Sequence, residues 1–159
     1  MQVTIAVFRG VLAISLLAPA VAVLRAQSAG ATFGTVIPLG GTPSDLVLDE
    51  SRSRLYLVNA NANRVDVYDY AAKQLLGSIP VGRTPRAAAM SMDNSTLYVT
   101  NNGSATLSLI TLGAGLGSLS QTITLPAKPE GVAVGIDGRA VITTEGSGTN
   151  SANNTLLIF

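Results

Sequence analysis

Arg83-Thr-Pro85, followed at a short distance by Leu97-Tyr-Val-Thr-Asn-Asn102, decides how this chain is read, because the same pattern stands one step earlier as Gly41-Thr-Pro43 and Leu55-Tyr-Leu-Val-Asn59. Pro43 and Pro85 are 42 residues apart, and so are Tyr56 and Tyr98. A fixed period of this length marks a repeat architecture, and the two copies are in register.

Each copy holds four short runs rich in Val, Ile, Leu, Tyr and Thr, separated by Gly, Pro, Asn and Asp, which is the signature of strands and turns. In the first copy these are Leu46-Val-Leu48, Leu55 to Asn59, Arg64 to Asp69 and Leu75 to Gly82; in the second, Ala87 to Met90, Leu97 to Asn101, Thr106 to Ile110 and Gln121 to Leu125. A third copy opens at Ala127-Lys-Pro129, passes an Asp137-Gly138 turn to Ala140-Val-Ile-Thr-Thr144, and reaches Thr155 to Phe159, one strand short. Four antiparallel strands per ~42 residues make one propeller blade, whose two faces both pack on neighbours. The expected class is therefore all-β, with about three four-stranded blades in an incomplete ring. The small side chains of Ala87-Ala-Ala89 suit an innermost strand, where blades converge.

The second copy, Leu97-Tyr-Val-Thr-Asn-Asn102 with Pro85 thirteen residues before Tyr98, resembles the YVTN-family β-propeller repeat. The first copy departs by one swap and a Val for Thr. The third departs further, with Val141-Ile-Thr-Thr144 and an Asn/Ser/Gly-rich insertion from Glu145 to Asn154. The resemblance spans residues 34–159, with blades at about 40–81, 82–125 and 126–159, and implies a bacterial exported protein. Residues 34–39 align with a last blade strand, like Gly77 to Val81. The chain would thus begin with a fourth strand and end with a third, leaving two apolar faces open. Further C-terminal blades, or assembly of several copies, would complete the ring.

Ahead of the repeats, Arg9 precedes an apolar run from Val11 to Leu24 with Ala20-Val-Ala22 near its end, the order of a secretory signal peptide. Residues 1–26 are expected to be removed, after Ala22 or Ala26, with an uncleaved anchor as the alternative, and 27–33 to form a short linker. The run is short of the ~20 residues a spanning helix needs. A secreted address, periplasmic or extracellular, follows, and with no Cys the exported chain folds on packing alone.

Losing Arg9 and Arg25 leaves eight basic against nine acidic side chains, a formal charge of −1. No basic run remains to grip phosphates, so nucleic acid is not expected as a partner. The absence of His and Cys excludes Ser-His-Asp and Cys-His hydrolases and the zinc sites built from those ligands. No cofactor is expected. Asp93-Asn94 and Asp137-Gly138 fall in turns, and Asp66 and Asp69 on or after a third strand, so these are read as structural.

The position after each repeat proline varies in charge: Ser44, Arg86, Glu130. In a four-strand meander the loop entering the first strand and the loop leaving the second lie at one end of the blade. Ser44, Asp45, Arg86, Lys128 and Glu130 therefore share a rim with Asn59 and Asn101, and this rim is the candidate face for a polar ligand or partner protein. The simpler reading of the Asn residues is turn geometry. The expected function is a non-enzymatic scaffold or binding module; the alternative is a segment of a lactonase-like or quinoprotein dehydrogenase-like propeller enzyme with its catalytic groups elsewhere.

Overall fold

In the computed structural model, Tyr56, Val58, Leu97 and Val99 are fully buried, although they lie on short strands and no α-helix stands among the described residues. The sheets cover one another. The structure describes residues 34, 36–146 and 148–159, so the expected signal peptide and linker lie outside the described residues. A compact unit spans Pro38–Phe159.

Its first sheet runs in the order β1 (Pro43–Asp49), β2 (Arg54–Asn59), β3 (Arg64–Asp69) and β4 (Gln74–Pro80). The second repeats this with β5 (Pro85–Met90), β6 (Thr96–Asn101), β7 (Thr106–Thr111) and β8 (Ser118–Thr124). The third holds β9 (Lys128–Val134), β10 (Ala140–Glu145) and the short β11 (Leu156–Ile158). All pairings are antiparallel, so each sheet is a plain meander. The innermost strands β1, β5 and β9 lie against one another in succession, and Ala87-Ala-Ala89 sits on the middle one.

Side-chain alternation along each strand decides which junction a residue fills. Tyr56, Val58, Val65, Val67 and Ile79 of the first sheet meet Ala88, Leu97, Val99, Ile110 and Leu112 of the second. On the other face of the second sheet, Leu107 with Tyr98, Leu109 and Ile123 meets Ile142, Val132 and Leu157 of the third. Apolar residues on both faces are thus a requirement of stacking.

The turns at the end away from the candidate rim follow their sequence. Asp93 accepts hydrogen bonds from the Ser91 hydroxyl (2.6 Å) and from the Ser95 amide (3.0 Å) and hydroxyl (2.8 Å), which hold its carboxyl at about 2. Asp137 accepts from the Arg139 amide, and Gly138 takes φ 83°, a conformation open to glycine without strain. Asp66 is buried, paired with Arg64 at 2.7 Å.

One expectation is corrected. Residues 36–39, aligned in sequence with a fourth blade strand, belong to no sheet, and Leu39 is exposed. An extended run becomes a strand only when a neighbouring edge takes its backbone hydrogen bonds, and no ladder is made by these residues.

Replacing Leu97 by Ala should cost about 2–5 kcal/mol, as for a fully buried leucine in a close-packed core. Leu119→Ala, at a site 42% exposed, should lie within about 0.5 kcal/mol of wild type in the same urea titration.

Candidate functional site

The residue after each repeat proline occupies a β-bulge. Pro43 pairs with Asn59 and Asp45 with Val58, so Ser44 is extra; Pro85 pairs with Asn101 and Ala87 with Thr100, so Arg86 is extra. In the third sheet Pro129 pairs with Thr144 and Val132 with Ile142, leaving Glu130 and Gly131 opposite Thr143 alone. A bulge bends the strand and re-aims the side chain it carries, so backbone geometry and not the proline itself sets these residues apart.

The structure divides the seven rim candidates into two groups. The single Ser44 hydroxyl proton lies between the Val58 carbonyl of its own sheet (3.3 Å) and the Pro85 carbonyl of the next (3.1 Å). Asp45 accepts from the Leu46 amide (2.8 Å) and, across the junction, from the Ala88 amide (2.9 Å). The buried Asn59 amide donates to the Gly40 carbonyl (2.7 Å) and Asp66 (3.0 Å) and accepts from the Thr42 amide (3.2 Å). Asn101, also buried, donates to the hydroxyls of Thr106 (3.0 Å) and Ser108 (2.9 Å), and a Cβ added at Gly82 would lie 2.6 Å from its Cγ. These four residues hold turns and junctions.

Arg86, Lys128 and Glu130 form the second group, and two residues outside the expected set join them. The Asn102 side-chain nitrogen reaches Glu130 Oε1 (2.8 Å), Glu145 Oε1 (2.7 Å) and the Pro129 carbonyl (3.2 Å). One amide nitrogen carries two hydrogens, so it cannot serve three acceptors fully at once. The two carboxyl groups are thus brought to one nitrogen. Burial, and then the bond to Glu145, push the Glu130 carboxyl up against the pull of Arg86, whose Nε lies 3.8 Å away. The bond from Asn102, and then that from Glu130, hold the Glu145 carboxyl down, with Arg86 and Lys128 adding to the effect. The result is a pair of carboxyl groups at one amide nitrogen, one held up and one held down, with Arg86 and Lys128 beside them.

Its place follows from two departures of the third copy, Thr144 at the Asn position and the insertion from Glu145 to Asn154. Asn59 and Asn101 lock tight turns after β2 and β6, but the third sheet has Thr144 at the pairing position of Asn101. The Thr144 hydroxyl donates to the Ala152 carbonyl (2.6 Å) and accepts from the Thr155 amide (3.0 Å), so it anchors a longer loop instead. Asn150 ties that loop to the Pro126 carbonyl (2.9 Å). Between the loop and the second sheet opens a cleft of about 700 Å³, lined by Lys128, Glu145, Asn150 and Asn154 and floored by Ala105 and Pro126. Its size falls within the range of small-ligand sites.

Stacked meanders with this topology define the class: an all-β chain of β-propeller blades, here not closed into a ring. Solved structures agree. The chain superposes on Kuenenia stuttgartiensis hydrazine synthase with TM-score 0.61 at 24% identity, covering 74% of this chain and 33% of that one. On the β-propeller domain of Myceliophteria thermophila Cps50 (Swd1) the values are 0.58 and 8%, covering 77% and 40%. On a putative 6-phosphogluconolactonase from Bacteroides uniformis they are 0.58 and 15%, covering 73% and 39%. The chain thus spans a third to two fifths of the length of these proteins. The sequence matches no family model and no curated protein.

The carboxyl pair has a measurable signature. A raised Glu130 binds its proton more tightly in the folded chain than in the unfolded one, so its contribution favours folding at low pH and is lost as pH rises through the raised value. Glu130→Gln keeps a donor toward Glu145 and abolishes that titration. Its stability relative to wild type should therefore increase from about pH 4 to about pH 8 in paired urea titrations.

Proposed function

We propose that this chain is an exported, non-enzymatic β-propeller module of the YVTN-repeat kind, and that the rim between its second and third sheets binds a polar ligand or the polar surface of a partner protein. The observation that carries this reading is the convergence of Arg86, Lys128, Glu130 and Glu145 around Asn102 beside the cleft. Strand pairing and junction bonds account for Ser44, Asp45, Asn59 and Asn101, but stacking alone does not require these four charges at one place. Both signs of charge, with amides along the loop, suit a ligand rich in hydroxyl, amide or carboxylate groups.

Export rests on Arg9, the apolar run that follows it and Ala20-Val-Ala22. N-terminal sequencing of the protein recovered outside the cytoplasm should begin at Val23 or Gln27; a chain that keeps Met1 in that fraction contradicts the reading.

The binding test is a screen of the folded protein against immobilised oligosaccharides and peptides. Lys128→Ala and Glu145→Ala should each weaken a hit by tenfold or more, the loss of a charge-assisted contact worth about 1.5–3 kcal/mol. Leu119→Ala, on an exposed outer strand, should leave it unchanged. Affinity that survives both rim substitutions removes this site.

A second reading draws on the neighbouring carboxyl groups of Glu130 and Glu145, one held up and one held down, since such a pair can serve as acid and base. It makes the chain part of a propeller enzyme, a class to which the likeness to the putative 6-phosphogluconolactonase lends support. Hydrolysis of a sugar lactone that is lost in Glu130→Gln would favour it over the binding module.

A further inference from the structure

The charges gathered at the rim are not equally engaged. Arg86 stands 3.8 Å from Glu130. Glu130 and Glu145 each give an oxygen to the Asn102 amide, at 2.8 and 2.7 Å. Lys128 differs from all three. It is exposed, it lines the cleft, and it lies directly opposite Glu145 in the register of β9 and β10. Its ammonium nevertheless makes no hydrogen bond or ion pair among the described residues, so three N–H donors and a full positive charge stand unspent at the edge of the cleft.

The loop beside it does not supply a partner. Asn150 donates to the Pro126 carbonyl (2.9 Å) and accepts from the Ala152 amide (2.9 Å), and Asn154 donates to the Gly146 carbonyl (3.2 Å), so these amides hold the loop itself. A charged donor left over in a cleft calls for an anion. The amount of charge it can take is limited by its neighbour. Glu145 is held down by the bond from Asn102 and keeps its negative charge beside Lys128. A phosphate dianion would set two further charges against one cation, while a carboxylate sets one. The floor then bears on what carries the carboxylate. Ala105 and Pro126 have short side chains, whereas a protein partner draws its affinity from large anchors seated in pockets. At Lys128 and Glu145 the strands β9 and β10 are paired with each other, so no edge between them is free to add an extended peptide. A sugar ring lays a flat C–H face on such a floor, and its hydroxyls can donate to the Glu145 carboxylate.

On the reading of this rim as a binding face, we propose that the ligand of the cleft is an acidic saccharide, a sugar chain with a hexuronic-acid unit whose carboxylate is bound by the Lys128 ammonium while its hydroxyl groups donate to Glu145. Lys128 selects the acid over its neutral counterpart. Glu145 selects against a second negative charge at the same place. Arg86 stays with Glu130 and Asn102, behind the cleft, and the loop amides keep the wall in shape.

The test is isothermal titration calorimetry of the folded protein with oligogalacturonate and oligoglucuronate, each beside its methyl ester, which keeps the hydroxyls and removes the charge. A neutral oligosaccharide, a sugar phosphate and an acidic peptide complete the set. Wild type should bind at least one of the acids about tenfold or more tightly than its ester, the effect of one charge-assisted contact. In Lys128→Gln, at an exposed position and with folding checked by circular dichroism, acid and ester should bind alike. Equal binding of acid and ester by wild type, a preference for the acid that survives in Lys128→Gln, or binding of the sugar phosphate or the acidic peptide alone overturns the proposal. Binding of the neutral oligosaccharide or the peptide alone that is lost in Glu145→Ala overturns it and leaves the rim as a binding face, whereas no binding by any probe overturns both.

Discussion

A small antiparallel sheet with apolar side chains on both faces has no stable existence by itself in water, and the structure depends on that constraint. Tyr56, Val58, Val65 and Val67 are buried only because Leu97, Val99 and Ile110 of the following sheet lie over them. At roughly 25 cal/mol per Å² of apolar surface, each junction outweighs any single hydrogen bond in the chain. The junction nevertheless uses hydrogen bonds to set its alignment. Asp45 takes the Ala88 amide, and Thr100 and Ser44 donate to carbonyls of the next sheet, so each innermost strand is held at a defined height against its neighbour.

Polar chemistry is consequently pushed to the rims, where most of it is spent on holding turns. The third sheet breaks that pattern. With Thr144 at the pairing position of Asn101 and an insertion after it, a long loop stands in place of the tight turn, and Glu145 meets Asn102 beside Glu130. Thr144 in place of Asn, together with the residues inserted after it, thus accompanies both the cleft and the carboxyl pair. Architecture and site have a common origin in the register of β9 and β10.

Much of the fold was legible because its signals are local and periodic. The 42-residue spacing, the strand runs and the turn roles of Asp93 and Asp137 depend on neighbours in sequence. The rim was legible in outline, since strand alternation places every residue after a repeat proline at one end. What could not be read was the use of each side chain. Ser44 and Arg86 occupy the same bulge position, yet only Ser44 is short enough to be drawn into the junction. Glu145 entered only as the start of an insertion, because its meeting with Asn102, 43 residues away in sequence, depends on how the third sheet stacks. The strand expected at residues 34–39 shows the complementary limit: composition proposes a strand, but a partner edge must accept it.

The central claim is that stacked junctions, and not isolated sheets, hold this chain in shape. Native-state hydrogen exchange at the Ala88 amide tests it most directly, because that N–H faces away from β6 and is bonded across the junction to Asp45. The account predicts protection at Ala88 comparable to that of the β6 amides of Leu97 and Val99, and its loss in Asp45→Ala. Exchange at Ala88 as fast as in an exposed turn, with the β6 amides still protected, would mean that the sheets fold without stacking and would contradict it.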